Sequence, residues 1–255
     1  MKIVVCFKIV HDENELTVNQ DKSIDESKAP YAISPYDCNA VGAAMNLAAT
    51  VVDSEVIALT AGGERVENGK MKKAILSRGP AEMYAVKNDS LDKAESYNVA
   101  AALKVAIEKI GADLIICGEG SADLYNQQVG NMIGAMMGIN TLNGICGMTF
   151  NNDILTVERA GDDGLEIIEL KLPAVLSVTS DICIPKIPSM RDILAAGKKP
   201  STVYTLEELG VADSVCVTTV SVRAPESTER KQIVIKGDGD EQIAEFYDGI
   251  RKALM

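Results

Sequence analysis

Short apolar runs alternate with longer amphipathic stretches through the first half of the chain. The short runs predict strands, and they cover residues 2–7, 55–60, 83–86 and 113–117. Between them, apolar residues recur every three or four positions, which predicts helices over residues 37–50, 66–77 and 91–110. Strands that alternate with helices form a parallel sheet covered on both faces. The pattern therefore predicts an α/β fold: a Rossmann-like parallel sheet with flanking helices.

The pattern changes after residue 150. Two apolar runs, residues 155–159 and 165–170, flank the turn Gly161-Asp162-Asp163-Gly164 and predict a late antiparallel hairpin. Residues 174–179 predict another buried strand, and residues 187–196 predict a short helix.

The sequence Lys198-Lys199-Pro200 predicts a boundary, with an α/β domain over residues 1–200 and a C-terminal arm over residues 201–255. The arm is polar and shows little core periodicity until an amphipathic pattern begins at residue 241 and runs to residue 254. An apolar helical stripe without a core of its own predicts that the arm wraps a partner.

The carboxyl ends of the predicted strands are the expected location of a ligand. Right-handed crossovers place nucleotides in a crevice at these ends, here beside the loops that follow residues 7, 60 and 117. The loop at 118–123 is glycine-rich and leads into a predicted helix near residue 126, so that backbone N–H groups can face an anion. It matches neither a Walker motif nor a complete G-x-G-x-x-G, and a plain βα turn is the alternative. Gly130, near the start of this helix, would let a phosphate approach the backbone closely.

Charge and composition exclude several classes of protein. The chain has 25 Lys and Arg against 37 Asp and Glu, a formal charge of −12, so we expect no nucleic-acid partner. Residues 124–152 carry no charge, but Asn, Gln and Gly interrupt them, so we expect no membrane insertion. The six cysteines form no C-x-x-C pair and the N-terminal apolar run is too short for a signal peptide, which predicts a cytoplasmic protein.

Few residues are suited to catalysis. His11 is the only histidine, so a two-histidine metal site cannot form, and we expect neither a metal nor a catalytic residue. The residues alone thus indicate a nucleotide-binding α/β protein that binds a ligand or carries redox chemistry.

Several segments resemble the β subunit of electron-transfer flavoproteins, and most closely its Fix-type branch. The most specific of them are Val157-Glu158-Arg159, Gly164-Leu165-Glu166, Lys171-Leu172-Pro173-Ala174-Val175, Ser34-Pro35-Tyr36-Asp37-Cys38-Asn39-Ala40 and Asn126-Gln127-Gln128-Val129-Gly130. The Fix-type features are Ser121-Ala122-Asp123-Leu124-Tyr125 and the segment over residues 233–239. The resemblance covers about four-fifths of the chain.

The resemblance implies a heterodimer whose α subunit carries the redox-active FAD, while this chain holds an adenine nucleotide, either AMP or a second FAD. The positions that it implies for nucleotide binding are Cys6, Ser34, Pro35, Tyr36, Asp37, Ala61, Gly118, Ser121, Asp123, Asn126, Gln127, Gln128 and Val129, to which we add Gly130. The pair would pass electrons between a donor and an acyl-CoA-type dehydrogenase or quinone-linked oxidoreductase, in some members by flavin-based bifurcation with NADH as donor. The flavin then carries the redox chemistry.

The chain departs from the family pattern at two places, and the first leaves the choice between FAD and AMP open. Asp12 and Glu15 match the Asp-x-x-Glu of bifurcating members, but Leu124-Tyr125-Asn126-Gln127 replaces their Gly-Asp-Thr-Ala. Ala160 stands where many members have Glu, which removes one expected contact between subunits.

The loop around Met190 resembles the segment through which the family docks on its dehydrogenase. The alternative is that Met190 begins a helix packed on the core.

A different class of function is an adenine-nucleotide-binding regulatory protein without a redox role. A nicotinamide dehydrogenase is disfavoured, because no acidic residue follows a complete glycine fingerprint at the expected spacing.

Overall fold

The computed structural model describes residues 1–212, 217, 219–226 and 232–254. Strands β1 to β13 in this part of the chain are Lys2–Cys6, Ile9–His11, Thr17–Val18, Ile24–Asp25, Tyr31–Ile33, Glu55–Gly62, Glu82–Lys87, Leu114–Gly118, Asn140–Asn151, Ile154–Gly161, Gly164–Leu170, Ala174–Val178 and Ser201–Thr205. Helices α1 to α6 are Pro35–Ala48, Gly69–Leu76, Ser96–Ile110, Val129–Met137, Met190–Ala196 and Asp240–Leu254. Parts of the predicted arm, at 213–216, 218, 227–231 and 255, lie outside the described residues.

Nine of the described strands form one sheet, in the order β11-β10-β9-β12-β8-β1-β6-β7-β13. The strands from β9 to β13 in this order pair in parallel, whereas β10 is antiparallel to both β9 and β11. The α/β fold, the parallel sheet with flanking helices and the late hairpin are therefore confirmed. The chain proceeds from β1 to β6 on one side and later returns to β8 on the other, so the topological switch point lies between β1 and β8.

Helices cover both faces of the sheet because its central strands are apolar on both sides. Ile3 and Val5 of β1 pack in one core cluster with residues of α1, α2 and α5, whereas Val4 and Cys6 pack in a second cluster with residues of α3 and α4. The alternation follows from the two-residue period of a strand.

The uncharged stretch forms a helix and a strand that pack closely against each other. An added Cβ at Gly130 of α4 would overlap Ser177 Oγ on β12, and one at Gly134 would overlap Thr141 on β9. Gly138 adopts φ +66° and ends the helix in a left-handed cap. The sequence pattern did not predict strand β9. Its first half pairs with β12 and its second half with β10.

The described chain divides into two compact units, Met1–Val222 and Arg223–Met255. This division comes later than the boundary predicted near residue 200, because β13 pairs with β7 and becomes an edge strand of the sheet. The second unit contains α6, on which five large apolar residues are exposed: Ile243, Phe246, Tyr247, Ile250 and Leu254. Among the described residues, no helix is both long and apolar enough to cross a membrane.

Candidate functional site

The candidate site lies at the switch point, where two strands end and two helices begin. Parallel pairing of β1 and β8 brings the residues after Cys6 and those at Gly118 to one edge of the sheet. The first turn of α1 packs against both loops through Asp37. The loop after β8 then leads to the start of α4 at Val129. Most of the predicted binding positions therefore lie around one crevice, as the strand order requires.

Asp37 connects the elements at the base of this crevice. Its buried carboxylate accepts the backbone N–H of Lys8 at 2.7 Å and that of Gly118. A Cβ on Gly118 would lie 2.7 Å from Asp37 Oδ1, so this position needs glycine for the close approach. Burial raises the pKa of Asp37 to about 7, although the two N–H donors and the Lys8 ammonium act in the opposite direction.

Lys8 and Asp123 form an ion pair at the edge of the crevice. Lys8 Nζ lies 2.6 Å from Asp123 Oδ2, and Ser121 Oγ donates to Asp123 Oδ1 at 2.5 Å. Partial burial alone would raise the pKa of Asp123, but Lys8 and these hydrogen bonds bring it below its usual value. The sequence reasoning placed Asp123 in the site and missed Lys8, for which the only signal was a cation directly after the first strand.

Tyr36 and Tyr125 stand together beside the loop. Their ring centroids are 5.1 Å apart, and the Tyr125 ring lies against Gly120, where a Cβ would come within 2.5 Å of it. Tyr125 and Gln127 adopt φ angles of +48° and +56°, which non-glycine residues seldom adopt. A cleft of ≈ 300 Å³ adjoins the two rings, lined by Glu13, Pro35, Tyr36, Asn39, Ser121, Ala122, Tyr125 and Ser180.

Cys6 and Cys117 lie side by side at the ends of β1 and β8, both buried. The neighbouring Cys117 thiol and burial raise the pKa of Cys6 well above its usual value. Cys6 is therefore a protonated, apolar part of the site at neutral pH rather than a nucleophile.

The start of α4 carries the remaining predicted positions. Asn126, Gln127 and Gln128 are exposed, and Asn126 Nδ2 donates to Ser96 Oγ at 3.4 Å. Gly130 is buried, and the group that crowds its missing Cβ is Ser177 of the protein itself. Packing of α4 on the sheet is thus one reason for glycine here.

Ala61 lies near the end of β6, beside β1 in the sheet. The backbone N–H of Gly63, just after this strand, already has a partner within the protein. Gly63 N donates to Asp92 Oδ1 at 2.6 Å, and Arg65 Nε contacts the same oxygen at 2.7 Å. Arg65 and Asp92 are 27 residues apart, and no local pattern in the sequence indicated the pair.

Met190 is not part of the crevice. It is the first residue of α5, and 73% of it is exposed. The alternative, a helix that begins at Met190 and packs on the core, is confirmed for the helix and for its buried Ala196, but Met190 itself does not pack in the core. Ile184, Ile187 and Leu194 are also exposed near it in the sequence.

Comparison with known families agrees with this architecture. The model of the electron transfer flavoprotein domain matches residues 21–209, about three quarters of the chain. The match includes α1, β8, α4 and the hairpin, and thus most of the elements that build the crevice. The chain belongs to the electron transfer flavoprotein family, whose members are electron-transport flavoproteins.

Proposed function

We propose that this chain is the β subunit of a heterodimeric electron-transfer flavoprotein and that it holds an adenine nucleotide in the crevice between β1 and β8. The observation that carries the proposal is the meeting of two strand ends and the starts of α1 and α4 at the switch point of the sheet. In open α/β sheets this is where nucleotides bind.

The residues present fit a polar, phosphate-bearing ligand. Ser34 directly precedes α1 and is fully buried, and among the described residues its Oγ has no hydrogen-bond partner. The first N–H groups of α4 lack intrahelical acceptors, as in any helix, and favour an anion. Lys8 supplies a positive charge that can exchange Asp123 for a phosphate. These groups would bind and orient AMP or FAD, and a flavin, when bound, supplies the redox chemistry.

The partner surfaces are proposed from exposed apolar residues. The stripe on α6 fits an α subunit that covers it, since an amphipathic helix binds in an apolar groove through residues at this spacing. Met190 fits a dehydrogenase contact, because a flexible thioether adapts to an apolar pocket. These assignments define an electron carrier between a donor and an acyl-CoA-type dehydrogenase or quinone-linked oxidoreductase.

Counting cofactors tests the proposal directly. The chain is co-expressed with a candidate α subunit, the complex is purified, and FAD and AMP released by denaturation are quantified per heterodimer. One FAD with one AMP supports the non-bifurcating form, and two FAD support the bifurcating form. A chain that retains adenine nucleotide but forms no flavin-containing heterodimer would favour the regulatory alternative. Absence of any nucleotide in a stable heterodimer would contradict the assignment of the crevice.

A further inference from the structure

Asp37 is placed to set the geometry of the crevice without lining it. Asp37 lies in the first turn of α1 and is 6% exposed. Its carboxylate accepts the backbone N–H of Lys8, in the loop after β1, and that of Gly118, the last residue of β8. The carbonyl of Lys8 in turn accepts Ser34 N at 3.1 Å. Lys8 is therefore connected to the start of α1 through both its N–H and its carbonyl.

Beyond the last pair, Val5 and Ile116, β1 and β8 no longer pair with each other. The residues that follow bond to the outer neighbours instead, since Phe7 N donates to Leu59 O and Glu119 N to Val178 O, both at 2.9 Å. We propose that Asp37 is a positioning residue whose carboxylate holds the loops after β1 and β8 in the arrangement that receives the nucleotide. This inference rests on the proposed function, and it adds a dependence on the charge of one buried residue. An ionised carboxylate has only acceptor oxygens, so it can receive both N–H groups at once.

The charge of Asp37 depends on the groups around it. Lys8 faces it from the loop after β1 and Asp123 from the loop after β8, while the thiols of Cys6 on β1 and Cys38 on α1 lie close enough to interact. Because the pKa is about 7, the carboxylate is mostly ionised at pH 8 and mostly protonated at pH 6. A protonated carboxyl has a hydroxyl that donates, so it cannot accept both N–H groups equally well.

Stability and ligand binding should respond to this proton in opposite directions. The pKa is raised above its unfolded value of 3.8, so the folded state binds the proton more tightly, and unfolding free energy from this group falls as pH rises from about 4 to about 7. Ligand binding, in contrast, needs the ionised form that holds both loops. If Asp37 had a purely structural role, the unfolding free energy and the ligand affinity would not change in opposite directions with pH.

The test titrates AMP into the full-length chain by calorimetry between pH 6 and pH 8.5, for wild type and Asp37→Asn. The matched control is Asp113→Asn, because Asp113 Oδ2 accepts Lys2 N at 2.7 Å at the opposite end of β1. The phosphate of AMP itself titrates near pH 6, so the profile of Asp37→Asn serves as the reference for the ligand.

At pH 8, we expect Asp37→Asn to bind AMP about tenfold more weakly, while its unfolding free energy is no lower than that of wild type. Asp113→Asn should bind AMP as wild type does. Wild-type affinity, relative to Asp37→Asn, should fall as pH drops from 8 to 6.

If Asp37 acted mainly by repelling the phosphate, the variant would bind more tightly and affinity would rise at low pH, which would overturn the inference. A wild-type chain that binds AMP while Asp37→Asn binds it equally well also overturns the inference, but leaves the proposed function intact. A wild-type chain that binds neither AMP nor FAD overturns both.

A measurement on wild type keeps the test independent of whether the variant folds. The amide proton resonances of Lys8 and Gly118 should titrate together in NMR spectra with a midpoint near pH 7, because both amides donate to the same carboxylate. Amide shifts that do not change between pH 6 and pH 8 would contradict the inference.

Discussion

Three glycines of the site occupy positions where another atom of the protein already fills the space of a Cβ. These atoms are Asp37 Oδ1 at Gly118, the Tyr125 ring at Gly120 and Ser177 Oγ at Gly130. At each position the backbone approaches a neighbour that belongs to the crevice or to the strand behind it. At this scale, the site depends on close contacts of the chain with itself, before any ligand is present.

We expect Gly130→Ala to destabilise the protein by about 1–3 kcal/mol, because the new methyl group overlaps Ser177 Oγ and displaces α4 from β12. Adding Ser177→Ala should recover much of the loss, and chemical unfolding of the single and double variants measures the coupling. Gly69→Ala is the matched control, since Gly69 also begins a helix but has nothing within 4 Å of its Cβ position. Equal stabilities of the Gly69 and Gly130 variants would exclude this packing role.

Between elements, the Lys199 side chain connects the segment after α5 to the end of α2. Lys199 Nζ donates to the carbonyls of Leu76, Gly79 and Pro80, at 2.9, 3.0 and 2.6 Å. These carbonyls lie at the end of α2 and just beyond it, where a positive charge is favourable. Lys199 thus joins α2 to the chain that enters β13.

Lys199→Met keeps most of the side-chain volume but removes the ammonium group. We expect it to lower the unfolding free energy by about 1–3 kcal/mol, because three buried or half-buried carbonyls lose a charged donor. Lys198→Met, at the exposed neighbouring position, should change stability by less than about 0.5 kcal/mol. The measurement is chemical unfolding at pH 7, and equal effects of both variants would argue against the capping role.

The exposure of α5 separates its two interpretations. We expect Met190→Ala to leave the melting temperature and cofactor content unchanged, because Met190 is mostly exposed. If the helix docks on a dehydrogenase, the variant should lose about 1–3 kcal/mol of affinity for it. Surface plasmon resonance with the purified dehydrogenase measures this loss. Val52→Ala removes an equally exposed apolar residue outside α5 and serves as the control. If the Met190 variant bound the dehydrogenase as tightly as wild type does, the docking surface would lie elsewhere.

At the scale of the whole molecule, the chain combines a unit with two well-formed core clusters and a second unit whose helix exposes its apolar stripe. An exposed stripe of this kind is typical of a surface that binds a partner, and it is the basis for the proposed contact with an α subunit. The formal charge of −12 also makes a negatively charged partner unfavourable.

Phe246→Asp places a charge in the centre of this stripe. If α6 binds the α subunit, we expect at least about a tenfold loss of heterodimer affinity, since a buried unpaired carboxylate costs several kcal/mol. The thermal unfolding of the isolated chain should not change. Lys252→Gln alters the net charge by the same amount outside the stripe and should assemble normally. Analytical ultracentrifugation of the two variants with the α subunit gives the comparison, and equal assembly would contradict the proposed interface.

The sequence by itself determined the alternation of strands and helices, the hairpin and the edge of the sheet at which the crevice lies. These features follow from local periodicity and turn chemistry, because a strand or helix that buries one face must repeat its apolar residues at a fixed spacing. The resemblance added the positions at 34–37 and 118–129, and the structure gathers most of them around that edge.

Tertiary structure alone decided what depends on contacts between distant residues. Strand β9 carries Gly and Asn at positions that local preference disfavours, and its pairing with β12 and β10 overrides that preference. Strand β13 joins β7 across more than one hundred residues and moves the boundary beyond residue 200. The pairs Lys8–Asp123 and Arg65–Asp92, and the raised pKa of Asp37, arise from burial and distance in three dimensions. No linear pattern encodes these contacts, because they depend on which loops the parallel sheet brings to the same edge.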